Sequence, residues 1–544
     1  MKKIIYLACV CLGMTLGSCD DFLTVSSPDE LTTGNYWRDQ KDAEAGLASA
    51  YGQLYHGDDW ATSEVRWPVE AFRTDLYAMG YDAVGYQTWT DIYKFSYTNG
   101  NTQFSYYYKD LYRGINFANQ VLEFTPLIPE GKITEAKRNE IMAEAHFLRG
   151  YYHLMLVLNW KDIIVRDAYI VEASELNKPL SDRVTCWNFV IEELKQATAL
   201  PATRPNQELG RATSGAAYAY LGFAYLTRAY EEPAQEEAFL KAALDALNEV
   251  KGYELVSGQR LVEMFNGRNK NCPESIFEIQ FSNNTDNGAG YYNHIHNFIG
   301  CKEVGGWDEI LPNEVLMAEF KKEGRIASNG LYDQRLYNTV YFKDEYFNDA
   351  ENGELIYGKY TYDELFWKWK RDAEDKNYVD KNGHIITVPD GANLDEYLAS
   401  NGGVKIVYDR PNFRRFTPAT QQEMKEHSCA FNIPLMRYAN VMLMKAEILN
   451  KQGHPKQAIP LINEVRAKHG NLPAMKGSTQ TEVQAQIEHE RIVEFPLESY
   501  RWYDLRRWGK LEEALGGFSD RHFETGKHEF FPIPKWEIDA NPAL

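Results

Sequence analysis

The sequence predicts an all-α fold: a scaffold of paired helices carrying long irregular loop insertions. Two observations predict it. Apolar residues recur at helical spacing in two separate stretches, each followed by a turn and a returning helix. Between these blocks lie residues 56 to 110 and 280 to 430, rich in Gly, Asn, Asp, Tyr and Trp and with little helical period.

The helical elements follow in order. Ala143 to Leu154 reads as a helix that is strongly apolar on one side. A second helix begins near Thr213 and carries Ala216, Ala217, Tyr220, Leu221, Ala224 and Tyr225, a stripe at i, i+1, i+4, i+5 spacing. Pro233 opens its partner, which carries Ala238, Leu240, Ala243, Leu244 and Leu247, and Gly252 closes it. The unit recurs near the C-terminus. Leu435, Tyr438, Ala439, Met442, Ala446 and Leu449 form one face, Gly453-His454-Pro455 is a turn, and Ala458, Leu461, Ile462 and Val465 return. Paired helices with small Ala at the crossing are the tetratricopeptide-like pattern. Its period is irregular, so insertions split the repeats. A last helix starts at the capping-box sequence Thr479 to Glu482, and Pro496 is expected to kink or end it.

The N-terminus reads as an export segment. Met1-Lys2-Lys3 is positive, Ile4 to Leu12 is apolar but too short to span a bilayer, and Leu16-Gly17-Ser18 leads into Cys19. Small residues ending in a cysteine are what a bacterial lipoprotein signal peptidase needs. Residues 1–18 are therefore expected to be removed and the Cys19 thiol to be acylated, which anchors the chain without a membrane-spanning helix.

Composition narrows the partners. A formal charge of -20 argues against nucleic acid and against direct adhesion to anionic lipid. Cys186, Cys272, Cys301 and Cys429 are scattered, with no metal-ligand spacing, and read as buried free thiols. No HExxH, GxSxG or phosphate-loop motif occurs, so no metal and no cofactor is implied.

Binding candidates come from aromatic density. From Trp60 to Tyr97 run Trp60, Trp67, Phe72, Tyr77, Tyr81, Tyr86, Trp89, Tyr93 and Tyr97, interleaved with Arg73, Asp75, Asp82, Asp91, Asn99 and Asn101. A sugar ring presents an apolar C–H face to an aromatic plane and a hydroxyl edge to Asn, Asp and Arg. Tyr291, Tyr292, His294 and Trp307 form a second such cluster. Trp89 and Trp307 are the leading candidates, then Arg73, Asp75 and Asn101, with Tyr291 and Tyr292 beside them. Glu490, Glu494 and Glu498, with Arg491 and Arg501, could be read as the carboxylate pair of a glycoside hydrolase. Ion pairing along a helix is the preferred reading, because nearby arginines depress a carboxylate pKa, the wrong direction for a general acid. No catalytic residue is assigned. Arg437 and Glu447 read as further scaffold charges.

These residues also resemble a known family. Cys19-Asp20-Asp21-Phe22-Leu23, Asn35-Tyr36-Trp37, Ala143 to Tyr152 and Gly210 to Ala217 occur in order. They are followed by Pro434 to Ala439, Ala446-Glu447, Glu490 to Phe495, Arg501 to Gly509, Phe531-Pro532-Ile533-Pro534 and Glu537 to Pro542. Together they are similar to the SusD/RagB family of Bacteroidetes outer-membrane lipoproteins, along nearly the whole chain. Pro496 departs from that pattern. The resemblance implies four tetratricopeptide-like helix pairs, an N-terminal region 19–270 and a C-terminal region 271–544 in one globular unit. It implies a glycan captured by loops in the two irregular regions and delivered to a TonB-dependent outer-membrane transporter, and Asp20-Asp21 fit an export tract to the cell surface. A peptide-binding lid of a RagB-type importer and a surface glycoside hydrolase are the alternatives.

Overall fold

The computed structural model describes residues 36–55, 66–80, 83–282, 292–300, 306–307, 309–342, 411–418 and 429–544, with parts of 378–405. The expected signal segment, Cys19, Asp20, Asp21, Trp60, Tyr81, Tyr291 and Cys301 lie outside the described residues.

Side-chain caps start most of the long helices. α1 (Gln40–Gly52) opens on Asp39, whose carboxylate accepts from the amides of Lys41 and Asp42. The short α2 (Trp67–Ala71) and α3 (Gln87–Lys94) lead into α4 (Thr102–Phe124), capped by Asn101. α5 (Glu135–Asn159), α6 (Arg183–Gln196) and α7 (Ser214–Glu231) are capped by Thr134, Asp182 and Thr213. α8 (Glu236–Asn248) follows a tight turn at Pro233–Gln235, and α9 (Gln259–Asn266) ends the first half. After the second irregular region come α13 (Tyr438–Lys451) and α14 (Pro455–Val465), but that region itself holds α10 (Ile295–Ile299), α11 (Glu314–Lys321) and α12 (Gln334–Thr339). α15 (Gln480–Glu494) begins on the expected Thr479–Glu482 capping box and stops one residue before Phe495-Pro496. α16 (Arg501–Trp508), α17 (Leu511–Leu515) and α18 (Lys535–Ala540) close the chain.

The two pairs read from the sequence form, α7 on α8 and α13 on α14, and two more, α1 on α4 and α5 on α6, stand beside them. Contacts of α4 with α5, α6 with α7 and α8 with α13 join the pairs into an array. The predicted stripe on α7 is its buried face, where Ala216, Ala217, Tyr220, Leu221 and Ala224 are all buried. At Gly222 a Cβ would come within 2.5 Å of the Leu247 side chain, so α7 and α8 approach closely only with glycine there. Gly453 takes φ +82° between α13 and α14, the left-handed cap predicted for that turn. One apolar core runs from Ala43 to Phe531, and a second cluster lies among α13, α14 and α15. Cys186, Cys272 and Cys429 are buried and form no disulfide among the described residues.

Two antiparallel strand pairs position the insertions. Ser275–Ile279 pairs with Ile433–Arg437, so the second irregular region leaves and re-enters the scaffold at one place. Tyr77–Met79 pairs with Ile310–Pro312 and joins the first irregular region to the second. The structure also differs from expectation over 56–110: α4 begins inside this span. Its buried face mixes Phe104, Tyr107, Tyr108 and Leu111 with Gln103, Ser105, Asp110 and Asn119, so no clean apolar period shows in the sequence.

Candidate ligand-binding surface

A chain of aromatic rings emerges where the two irregular regions meet. Tyr86 caps the start of α3 with extended backbone, φ −92° and ψ 99°, which turns its ring outward; it is 49% exposed. Beneath it lies Trp89, with ring centroids 4.5 Å apart and planes 28° apart. Trp89 is only 3% exposed, and its indole N–H donates to Gln103 Oε1 at 2.9 Å. Phe298 of α10 sits 5.8 Å from Trp89, and Trp307 meets Phe298 edge-on at 5.1 Å. Trp307 is half-buried, and its amide donates to the Asn297 carbonyl at 2.6 Å. The ridge therefore has exposed Tyr86 at one end, half-buried Trp307 at the other, and Trp89 and Phe298 as its base. The fully buried side-chain amide of Asn297 has no hydrogen-bond partner among the described residues. Buried polar groups are paired nine times in ten or more, so this one marks an unusual environment beside the ridge.

The structure corrects three of the sequence candidates, because they are buried in the scaffold and engaged by partners there. Arg73 is 1% exposed, its guanidinium lies between the rings of Trp502 and Phe531 at 4.6 and 4.7 Å, and it donates to Asn159 Oδ1. Asp75 is 2% exposed and forms a two-point pair with Arg501 at 2.8 and 2.6 Å. Asn101 is buried and caps α4, accepting from the Gln103 amide at 3.0 Å and donating to the Thr88 carbonyl at 2.8 Å. Trp89 supports the ridge from below. Trp307 stands at its edge, and Tyr292 is half-buried in the same insertion. Tyr86 belonged to the noted aromatic run but not to the leading candidates, and no local signal sets it apart from the buried rings of that run.

The carboxylate ladder is structural, with partners other than the neighbours expected. Glu490 binds Arg335 at 2.6 Å and Arg466 at 2.5 Å, Glu494 binds Arg437 at 2.9 Å, and Glu498 binds Arg437 at 2.7 Å and Arg415 at 2.6 Å. Arg491 instead pairs with Asp504 at 2.7 Å, and Arg501 with Asp75. Glu447 pairs with Arg507 at 2.8 Å. Burial opposes ionisation of Glu494, but His469 and Arg437 outweigh it and hold the carboxyl well below the usual range. Glu490 is likewise lowered against burial, chiefly by Arg335. A proton donor to a glycosidic oxygen needs the opposite displacement.

A helix-pair scaffold with an aromatic surface built on its insertions defines a helical-repeat protein. A profile of the SusD family matches residues 273–544, and one described as "Starch-binding associating with outer membrane" matches residues 21–226. The chain belongs to the SusD family. SusD-like protein P38 of Formosa agariphila is 23% identical, covering 95% of this chain and 94% of its own. Among solved structures, a SusD superfamily protein from Bacteroides vulgatus superposes with a TM-score of 0.72 at 24% identity, covering 93% of this chain and 98% of that one. A structure described as a laminarin-binding SusD-like protein gives 0.66 at 23% identity, covering 93% and 98%.

Proposed function

We propose that this chain is a cell-surface lipoprotein that binds an oligo- or polysaccharide on the Tyr86–Trp307 ridge and delivers it to a TonB-dependent outer-membrane transporter. The observation that carries the reading is the ridge itself. It offers two accessible ring faces on a buried aromatic base, at the junction of the two insertions. Stacking on a preformed ring needs no large ordering step, so the site is paid for mainly in folding, before ligand arrives. Family membership, the starch named in one profile's description and the laminarin named for one solved relative support the same reading.

Calorimetry with a panel of oligosaccharides tests it. Tyr86→Ala and Trp307→Ala are each expected to weaken binding by about 2 kcal/mol, roughly thirtyfold, with melting unchanged. A neutral sugar also makes binding nearly independent of salt. Unchanged affinity in both variants would remove the ridge from the site. Binding of peptides and of no sugar would replace the glycan by a peptide while leaving the family intact.

Anchoring is tested separately. Cys19→Ala is expected to move the protein from the membrane fraction to the soluble fraction, because the acylated thiol is the proposed anchor. A variant that still sediments with membranes after a high-salt wash would refute the lipoprotein reading.

A further inference from the structure

A second cleft lies outside the ridge. It has a volume of about 650 Å³ and is bounded by α4 from Lys109 to Asn119, by residues 166–176 and by Trp536 of α18. This is the size of a small-ligand site, about 300–1,000 Å³. Trp536 is 43% exposed, and it is the only tryptophan among the described residues in the exposed class. Trp536 is also held in place, with Tyr108 meeting it edge-on at 6.0 Å.

The walls are built as firmly as the ring. Tyr112 donates its hydroxyl hydrogen to the Ile164 carbonyl at 2.8 Å and accepts from the Ile164 amide at 3.0 Å. Tyr169, half-exposed, leans on Phe124 at 5.3 Å. Arg166 donates to the carbonyls of Glu175 and Leu176 at 2.8 and 2.5 Å, which fixes the outer wall. The side chains of Lys109 and Asn116 make no hydrogen bond among the described residues and point to unfilled donor capacity at the rim.

We infer that this cleft is a second binding site for the same glycan, distinct from the ridge; the inference rests on the glycan reading above. Charge selects this occupant. In a chain of net charge -20, the cleft sets Lys109, Arg113 and Arg166 against Glu172 and Glu537, close to balance. A near-neutral cleft that combines ring faces with donors and acceptors of both signs matches an uncharged polyhydroxyl ligand. It does not match an anionic lipid surface or a polyanion.

The test is titration of the full-length mature protein with laminarin and starch oligosaccharides, read by calorimetric stoichiometry and by hydrogen exchange. The wild type is expected to bind two ligands. Trp536→Ala is expected to bind one, with ligand-induced protection lost over 109–119 and 166–176 and kept around 86–89. The Tyr86→Ala/Trp307→Ala double variant is expected to keep one site and protection at the cleft. Trp536 is exposed on a short surface helix, so its truncation leaves no core cavity, and an unchanged melting temperature confirms this. One ligand in the wild type, unaffected by Trp536→Ala, overturns the second site and leaves the ridge reading standing. Binding abolished by Trp536→Ala alone overturns the ridge reading and keeps the cleft. No binding of either sugar by the wild type overturns both.

Discussion

Arg437→Met is expected to destabilise the protein by about 3–5 kcal/mol, because it strips one cation from three buried carboxylates. Arg437 is fully buried and holds Glu274 at 2.5 Å, Glu498 at 2.7 Å and Glu494 at 2.9 Å. These come from three places: the turn just before the strand Ser275–Ile279, the turn after Pro496, and the end of α15. Removing the guanidinium leaves negative charge in low dielectric, where it is far more costly than at a surface. A domain is stable by only about 5–15 kcal/mol, so the loss is a large share of the total. The denaturant midpoint should fall sharply while the slope of the transition stays constant. A loss below about 1 kcal/mol, the ordinary range for an exposed pair, would show that the network contributes little. Ligand affinity in the fraction that folds should be unchanged, since the ridge lies elsewhere.

Stability is also expected to fall on the alkaline side, through His469. This ring is fully buried between two acids, with Nδ1 at 2.9 Å from Glu494 and Nε2 at 3.1 Å from Glu274. Burial pushes its pKa down, but the two carboxylates outweigh burial and raise it from 6.5 to about 9. The folded state therefore holds a proton that the unfolded chain releases at lower pH. The resulting stabilisation is fully present below about pH 6.5 and is lost as pH rises through about 9. A displacement of that size corresponds to of order 3 kcal/mol. His489, beside Glu319 and Glu323, is also raised to about 9 against burial and adds to the same slope. Unfolding measured at several pH values from 6 to 10 should show this decline, and His469→Gln should flatten it. The difference between wild type and variant should shrink as pH rises; a constant difference would mean that His469 is neutral in the folded protein.

The sequence by itself determined the repeating part of the molecule. The stripes on α7 and α13, the turn at Gly453, the capping box at Thr479 and the break at Pro496 are local signals. Each depends on residues within a turn or two of helix, so each is legible without the fold. The ordered family resemblance was legible for the same reason, and the family profiles bear it out. The long α4 was not, because polar groups interrupt its buried face, and one of them, Asn119, is satisfied by partners distant in sequence, the carbonyls of Arg166 and Ala168 and the guanidinium of Arg149.

Only the tertiary structure decided which polar residues face inward and which rings face out. Arg73, Asp75 and Asn101 sit among aromatic residues in sequence and look like a sugar-binding edge. Their burial follows from Trp502, Phe531 and Arg501, more than 400 positions away, and from the start of α4. The carboxylate ladder was recognisable as ionic, but its partners Arg335, Arg415, Arg437 and Arg466 lie on other elements. The ridge exists because Tyr77–Met79 pairs with Ile310–Pro312 and so places Trp89 beside Phe298. Helical periodicity is a property of neighbouring residues, whereas charge pairing and ring contact are properties of distance in space, and the chain sets that distance only when it folds.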